Sequence, residues 1–254
     1  EWSYNTGTKV LTISGSGAVD RAVDSDTTKQ KIEGLAEPYE VKERITCSVK
    51  EIKIEEGITA LAVSNLFGNV SKDEDAEEIK LSLPDSLERI NANTFAPTTD
   101  AAYIRTIHLP RNVRYIEGGA FWGLGATDTS DTFKENLTIT VDSKNPYYMT
   151  ENNVLFTKDK KTLVYYPVEK TEQSYRIPKS VTKVEALAFS RNPSLKKVVL
   201  PTGITDIGAG AFYGDSKLSG INLAQAVKVK KLRDFDGVKA KISYYDVAAP
   251  ADAG

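Results

Sequence analysis

Apolar positions recur along this chain in one fixed order. A short run alternates apolar and polar residues and ends at a proline. Two aliphatic residues follow three apart, and a Phe, usually preceded by Ala, closes the unit near a glycine. The clearest copy spans 195–214, with Val198, Leu200, Pro201, Ile204, Ile207, Ala211, Phe212 and Gly214 at those places. Earlier copies end on Phe67, Phe95, Phe121 and Phe189. Two landmarks fix the register: Pro84 to Pro110 and Phe95 to Phe121 are both 26 residues, and Pro178 to Pro201 and Phe189 to Phe212 are both 23. Such a period is the mark of stacked repeats rather than of one globular core.

Each part of the unit has a physical role. Alternation in the first run puts successive side chains on opposite faces, so Val198 and Leu200 point inward and stack on the next repeat. Pro201 has no N–H to give to a ladder and ends the strand. Ile204 and Ile207 bury a second edge, Phe212 fills the space between layers, and Gly214 accepts the backbone conformation that leaves the turn. The pattern predicts a repeat solenoid, mostly short parallel β-strands with short helical turns.

The chain divides accordingly. Residues 1–45 predict a β-hairpin N-terminal cap, with Trp2 and Tyr4 to cover the first repeat, and an irregular connection. Residues 46–223 predict the repeat array. The interval from Phe121 to Phe189 is 68 residues, too long for one unit. There the apolar runs 154–156 and 163–166 flank the charged turn 158–161 and predict an inserted β-hairpin at about 150–168. Residues 224–247 predict a C-terminal cap whose lysines keep an edge strand from pairing with other chains; the alternative, a nucleic-acid or anionic-polymer patch, is disfavoured by Asp234, Asp236 and Asp246 within the run. Residues 248–254 predict a flexible tail or linker.

Composition adds exclusions. The 254 residues carry a formal net charge of −2, which exerts no global pull toward nucleic acid. No apolar run approaches the roughly 20 residues that span a bilayer as a helix. A lone Cys47 forms no internal disulfide and supplies no zinc site, and predicts a small buried residue. The chain starts at Glu1 rather than Met, as expected of a segment from which a leader has been removed.

Candidate chemistry is sparse. The one histidine, His108, lies between inward Ile107 and Leu109, so it points outward with no partner implied. A Cys47–His108 dyad has no motif around either residue. The acidic run 73–78 lacks the spacing and turn glycine of a Ca²⁺ loop and predicts a solvated loop or helix start. Gly118-Gly119 and Gly208-Ala-Gly210 lack the Lys and following helix of a phosphate cradle. Asn69-Val-Ser71 and Asn136-Leu-Thr138 match the glycosylation acceptor pattern. Nothing points to a catalytic centre, metal or cofactor.

The unit at 195–214 resembles the BspA-like leucine-rich repeat of bacterial surface proteins. The segments Val141-Asp-Ser-Lys-Asn-Pro-Tyr-Tyr148 and Val154-Leu-Phe-Thr-Lys-Asp-Lys-Lys-Thr-Leu163 resemble that family's hairpin-bearing variant, and Val10-Leu-Thr-Ile-Ser-Gly-Ser-Gly17 its N-terminal cap. The likeness covers most of residues 2–223. Departures are Gly68 and Gly123 where the family often has Cys, and Glu56-Gly57 where later repeats have Pro. The resemblance implies a leucine-rich-repeat-like fold and a secreted or cell-surface protein of adhesive role, with no shared catalytic residues to carry over.

Function is therefore expected on the surface. If the strands stack in register, one outward row holds Lys53, Ser82, His108, Thr140, Arg176, Val199 and Asn222. A second row holds Glu51, Lys80, Thr106, Thr138, Ser174 and Lys197. Extended faces of this kind are what repeat arrays use for binding. A second candidate patch is Tyr147, Tyr148, Tyr165 and Tyr166 around the inserted hairpin, most of them expected to be packing residues. The expected partner is an extracellular protein or glycan, with neither nucleic acid nor direct membrane insertion. The alternative is a spacer that presents another domain.

Overall fold

A computed structural model describes residues 1–20, 31–33, 47–67, 70–95, 104–122, 124, 137–224 and 241–245. The N-terminal stretch gives β1 (Trp2–Asn5), β2 (Val10–Ile13), β3 (Gly17–Val19) and β4 (Lys31–Glu33). The first repeats give β5 (Cys47–Val49), β6 (Glu51–Ile54), β7 (Ile58–Leu61), β8 (Val70–Lys72), β9 (Lys80–Ser82) and β10 (Arg89–Ile90). Next come β11 (Thr106–Leu109), β12 (Tyr115–Ile116), β13 (Thr138–Val141), β14 (Tyr148–Glu151), β15 (Val154–Thr157) and β16 (Thr162–Tyr165). The last are β17 (Ser174–Arg176), β18 (Lys183–Val184), β19 (Lys197–Val199), β20 (Asp206–Ile207), β21 (Gly220–Ala224) and β22 (Lys241–Tyr245).

Two families of parallel ladders alternate along the chain. The first strand of each repeat joins its counterparts: β2 pairs with β6 and β6 with β9, β11 with β13, and β17 with β19, β21 and β22 in that order. The short second strands form β3–β7–β10–β12 and β16–β18–β20. At the N-terminus β1 and β2 are an antiparallel hairpin, with Tyr4 and Leu11 buried. The strands and the two turns between them follow from the pattern. Inward Val198 and Leu200 are fully buried, and the Pro201 carbonyl accepts from Ile204 N at 3.2 Å to close the first turn. Pro178–Val181, Pro110–Val113 and Pro84–Leu87 repeat that bond. In the first repeat Glu55 accepts from Ile58 instead, and Gly57 takes φ +101 where a Cβ would lie 2.5 Å from the Gly15 carbonyl oxygen.

The expected helical turns are absent: no helix occurs among the described residues. The reason is local. The residue two before each Phe sits in the left-handed region: Asn65 (φ 58), Asn93 (φ 56), Gly119 (φ 80), Leu187 (φ 58) and Gly210 (φ 63). One such residue stops a right-handed helix. It also turns N–H groups sideways, toward the next repeat rather than back along the chain. Phe189 N donates to Ala211 O at 2.7 Å, Phe95 N to Ala120 O at 3.2 Å and Leu66 N to Thr94 O at 3.0 Å. The second turn is thus a third backbone seam between repeats. Gly208 stands so close to its neighbour that a Cβ there would lie 2.2 Å from Ala186 N.

The Phe side chains stack along the array. Centroids of Phe67, Phe95, Phe121 and Tyr165 are separated in turn by 6.0, 5.7 and 5.5 Å, and those of Tyr166, Phe189 and Phe212 by 4.8 and 5.0 Å. Tyr165 lies in one buried cluster and Tyr166 in the next, so consecutive residues of the inserted hairpin link the two halves of the core.

The runs 154–156 and 163–166 pair as the antiparallel hairpin β15–β16, and β14 adds a third strand that makes the insertion a meander. Its first turn is Asn152-Asn153, both at positive φ, as a tight hairpin turn requires. It interrupts the ladders, leaving β12 and β13 at sheet edges, and its side chains satisfy them. Asn153 Oδ1 accepts from Ile139 N at 3.0 Å while its Nδ2 donates to Leu137 O at 2.6 Å. The Tyr148 hydroxyl accepts from Ile116 N at 2.9 Å. Strand β16 then resumes the short-strand ladder by pairing with β18.

Candidate binding surface

Parallel register turns the strand side chains into rows. The observed partners run Thr12–Lys53–Ser82, His108–Thr140 and Arg176–Val199–Asn222–Ser243 in one row. In the second they run Val10–Glu51–Lys80, Thr106–Thr138 and Ser174–Lys197–Gly220–Lys241. Lys53, Ser82, His108, Thr140, Arg176, Lys80, Thr106, Thr138, Ser174 and Lys197 are exposed. Glu51 and Asn222 are half-buried, and Val199, expected outward, is only 9% exposed. Sequence reasoning missed the terminal members Thr12, Ser243 and Lys241, because the cap strands are not repeats and only pairing reveals their place.

Side chains bond along the rows and, at Ser82 and Glu51, from one row to the other. His108 Nδ1 and Thr140 Oγ1 are 2.9 Å apart, Ser243 Oγ donates to Asn222 Oδ1 at 2.8 Å, and Ser82 Oγ donates to Glu51 Oε1 at 3.4 Å. Among the described residues the two rows carry Lys53, Lys80, Arg176, Lys197 and Lys241 against Glu51 alone. The face is therefore locally cationic on a chain whose formal net charge is −2.

The tyrosine patch separates. Tyr148, Tyr165 and Tyr166 are buried, and only Tyr147 is exposed. Burial pushes the Tyr148 hydroxyl up to about 12, and burial likewise raises Tyr165 and Tyr166. These are packing and edge-sealing groups.

The other sequence candidates disperse. No group of three or more His, Cys, Asp or Glu among the described residues is arranged to hold a metal ion. Cys47 lies on β5 and His108 on β11, and these strands belong to different sheets. The acidic run 73–78 is neither helical nor wholly solvated: Asp73 is buried. Its burial opposes ionisation. Hydrogen bonds from Asp75 N and Ser48 Oγ and the charges of Lys50 and Lys9 outweigh that, holding the carboxyl below its usual range. Gly118 and Gly208 flank Ala186 at close approach, so these glycines serve packing. Asn69, Asn136, Gly68, Gly123 and nearly all of the C-terminal cap and tail lie outside the described residues.

A polar column runs through the loops that precede β17, β19 and β21. Five residues before paired Ser174, Lys197 and Gly220 stand Glu169, Asn192 and Asp215. Asn192 is fully buried and satisfied at both ends. Its Nδ2 donates to Val168 O at 3.0 Å and Lys170 O at 3.1 Å, and its Oδ1 accepts from Ser194 N and Leu195 N. Asp215 Oδ1 accepts from Asn192 N at 2.9 Å, but its Oδ2 is buried with no hydrogen-bond partner. Burial pushes Asp215 up to about 8 and Glu169 up to about 7. Within the repeat these acids look like ordinary loop charges; only the register shows that they enter the core.

Comparison with known proteins gives the rest. No curated protein matches the chain. Three solved structures share its fold. A leucine-rich cell surface protein from Faecalibacterium prausnitzii A2-165 is 21% identical with a TM-score of 0.51, over 77% of this chain and 60% of its own. The pneumococcal vaccine antigen PcpA is 24% identical with a TM-score of 0.54, over 72% of this chain and 47% of its own. A leucine-rich repeat protein from Eubacterium ventriosum ATCC 27560 is 21% identical with a TM-score of 0.50, over 87% and 69%. The chain thus spans about half to two thirds of the length of the solved proteins it resembles. The model of the BspA-type leucine-rich repeat region matches residues 77–145 and 166–242 in six copies, more than half of the sequence. With its proline-ended strands, laterally bonded turns and stacked Phe column, the chain belongs to the BspA-type leucine-rich repeat family.

Proposed function

We propose that this chain is a non-catalytic cell-surface or secreted repeat protein whose strand face binds an extracellular protein or glycan. In this reading the repeats stack into a solenoid, residues 46–223, closed by the N-terminal hairpin and by a C-terminal cap at 224–247. One observation carries it: two register-aligned rows, mostly of exposed polar side chains, that together hold five cationic residues against one carboxylate. Such an excess of cations favours association with acidic partners and makes it salt-dependent. Kinship with a repeat family and likeness to proteins named as surface proteins support the location.

The test is binding of residues 1–254 to an array of matrix proteins and glycans. Changing Lys53, Lys80, His108 and Arg176 together to Ser is expected to abolish the strongest hit. A hit that survives those changes refutes the strand face. A folded chain with no hit on any member favours the spacer reading, which the short self-bonded pairs along the rows also support.

A further inference from the structure

The turn side of the repeats carries a second surface. Register places Leu109 beside Val141, so the residues after each strand align as well. Carried on at the same 32-residue offset, Asn112 is equivalent to Lys144, Arg114 to Pro146, and Tyr115 to Tyr147. Arg89 pairs with Tyr115 in the preceding repeat. Three repeats thus contribute one column of Arg89, Tyr115 and Tyr147 next to a column of Glu88, Arg114 and Pro146.

At these turns lies an open cleft of about 330 Å³ lined by Glu88, Arg111, Asn112, Arg114, Lys144, Pro146 and Tyr147. Its cations are held in place. Arg111 pairs with Asp85, and the Arg114 guanidinium donates to Glu88 Oε2 at 2.6 Å. Each guanidinium presents five N–H donors, and each of these pairs engages one Nη2. Asn112 Nδ2 donates to Asp85 O at 2.8 Å, which ties the two turns together. The lining therefore holds three cations and one carboxylate.

The aromatic side is equally distinct. Large exposed hydrophobic side chains number three among the described residues: Tyr115 at 43%, Tyr147 at 47% and Tyr213 at 50%. Tyr147 lines this cleft, and Tyr115 stands in the preceding repeat beside Arg114 in sequence, outside the lining. Arg89 lies 4.2 Å over the Tyr115 ring and fixes it.

We propose that this cleft binds a short segment of acidic glycan, a sugar bearing carboxylate or sulfate. A sugar ring offers an apolar C–H face to the exposed tyrosine and, within a few ångströms, an anionic group to Arg114, Arg111 and Lys144. Guanidinium forks suit both carboxylate and sulfate. The volume lies at the low end of the roughly 300–1,000 Å³ of small-ligand sites, enough for a sugar segment and too small for a folded domain. Fixed ion pairs on the cleft wall leave less side-chain freedom to lose on binding. The site lies beyond the Pro turn from the strand rows and stands or falls apart from them.

The experiment titrates residues 1–254 by calorimetry at low salt with three hexasaccharides: hyaluronan (carboxylate only), chondroitin sulfate (carboxylate and sulfate) and neutral chito-oligosaccharide. An oligo-glutamate peptide is the fourth probe. One or both acidic sugars are expected to bind, and their ratio tells carboxylate from sulfate. Tyr147→Ala, Arg114→Gln and Lys144→Gln are each expected to weaken that binding about tenfold, the scale of one charge-assisted or aromatic contact. All three residues are at the surface, and matching melting curves confirm folding. The combined Lys53, Lys80, His108 and Arg176 variant is expected to bind the sugar as the parent does. The proposal is overturned if no acidic sugar binds at millimolar concentration, if the neutral sugar or the peptide binds as tightly, or if the cleft variants bind like the parent. Loss in the strand-face variant alone overturns the cleft while leaving the strand-face reading intact.

Discussion

Asp215 makes the stability of this protein depend on pH in an unusual direction. An ordinary Asp titrates near 3.8, and burial pushes Asp215 up to about 8. Its Oδ2 has no hydrogen-bond partner, so the backbone donation to the carboxylate, led by Asn192 N, offsets only part of the cost of stripping water from the ionised group. Because the folded value lies above the unfolded one, the folded state holds a proton that the unfolded chain has already released. The associated stability is present in full below about 3.8 and is lost as pH rises toward about 8. The slope inside that window is about 1.4 kcal/mol per pH unit for one proton, so pH 5 to pH 7 removes on the order of 3 kcal/mol. Glu169, raised by burial from 4.5 to about 7, acts with the same sign over the lower part of the window. Asp73, Asp159 and Glu172 are lowered and exert their opposite effect only at more acid pH.

Asp215→Asn removes the proton while keeping the amide oxygen that accepts from Asn192 N. The expected result is a gain of about 1–2 kcal/mol at pH 5 that grows to several kcal/mol at pH 8, on the order of the removed ionisation cost. Urea unfolding followed by circular dichroism at pH 5, 6, 7 and 8 measures both chains. The parent is expected to lose stability from pH 5 to pH 8, and the variant to lose about one proton's worth less. Equal pH slopes for the two chains, or a parent more stable at pH 8 than at pH 5, would falsify the assignment of Asp215 as a buried, only partly compensated acid.

Four further substitutions, one of them a control, test the packing. Phe95 is fully buried between Phe67 and Phe121, so Phe95→Ala is expected to cost about 3–5 kcal/mol; a fall in Tm of roughly 10 °C by calorimetry is the expected reading, and an unchanged Tm refutes the continuous column. Gly208→Ala forces its Cβ against the Ala186 backbone and is expected to cost about 1–3 kcal/mol. Gly203→Ala, with nothing within 4 Å, is the control, expected within about 1 kcal/mol of the parent. Equal melting curves for the two glycine variants would show that the turns do not touch. Tyr148→Phe deletes the acceptor for the buried Ile116 N–H and is expected to cost about 1–3 kcal/mol in chemical denaturation, with faster amide exchange at Ile116; unaltered exchange there would mean that another group seals β12.

What the sequence displays openly is what recurs at fixed spacing. Prolines ending strands and Phe side chains filling layers follow from apolar periodicity, and that periodicity is written in the chain. The left-handed position two before each Phe is half visible. Asn65, Asn93, Gly119 and Gly210 are residues suited to it, whereas Leu187 is not, and that one exception hides the rule. Without the rule, an apolar turn near glycine reads as a helix start, because nothing in a single repeat says that its N–H groups bond sideways. The meander was hidden in the same manner: Asn152-Asn153 is a hairpin turn, but Met149-Thr-Glu before it lacks the alternation that marks a strand.

Columns are harder still. Glu169, Asn192 and Asp215 occupy one position in three successive repeats, yet as a one-dimensional string they are three unremarked loop residues. Arg89, Tyr115 and Tyr147 form another column across intervals of 26 and 32 residues, and the unequal step comes from loop length rather than from the strands. Backbone pairing absorbs such differences, because register is set where strands meet and not by the number of residues between them. Repeat chains therefore place inward and binding groups at equivalent positions with irregular spacing. Pairing of β11 with β13 brings Lys144 and Tyr147 to the repeat that carries Arg111 and Arg114, and so puts an aromatic ring at the edge of a cationic cleft.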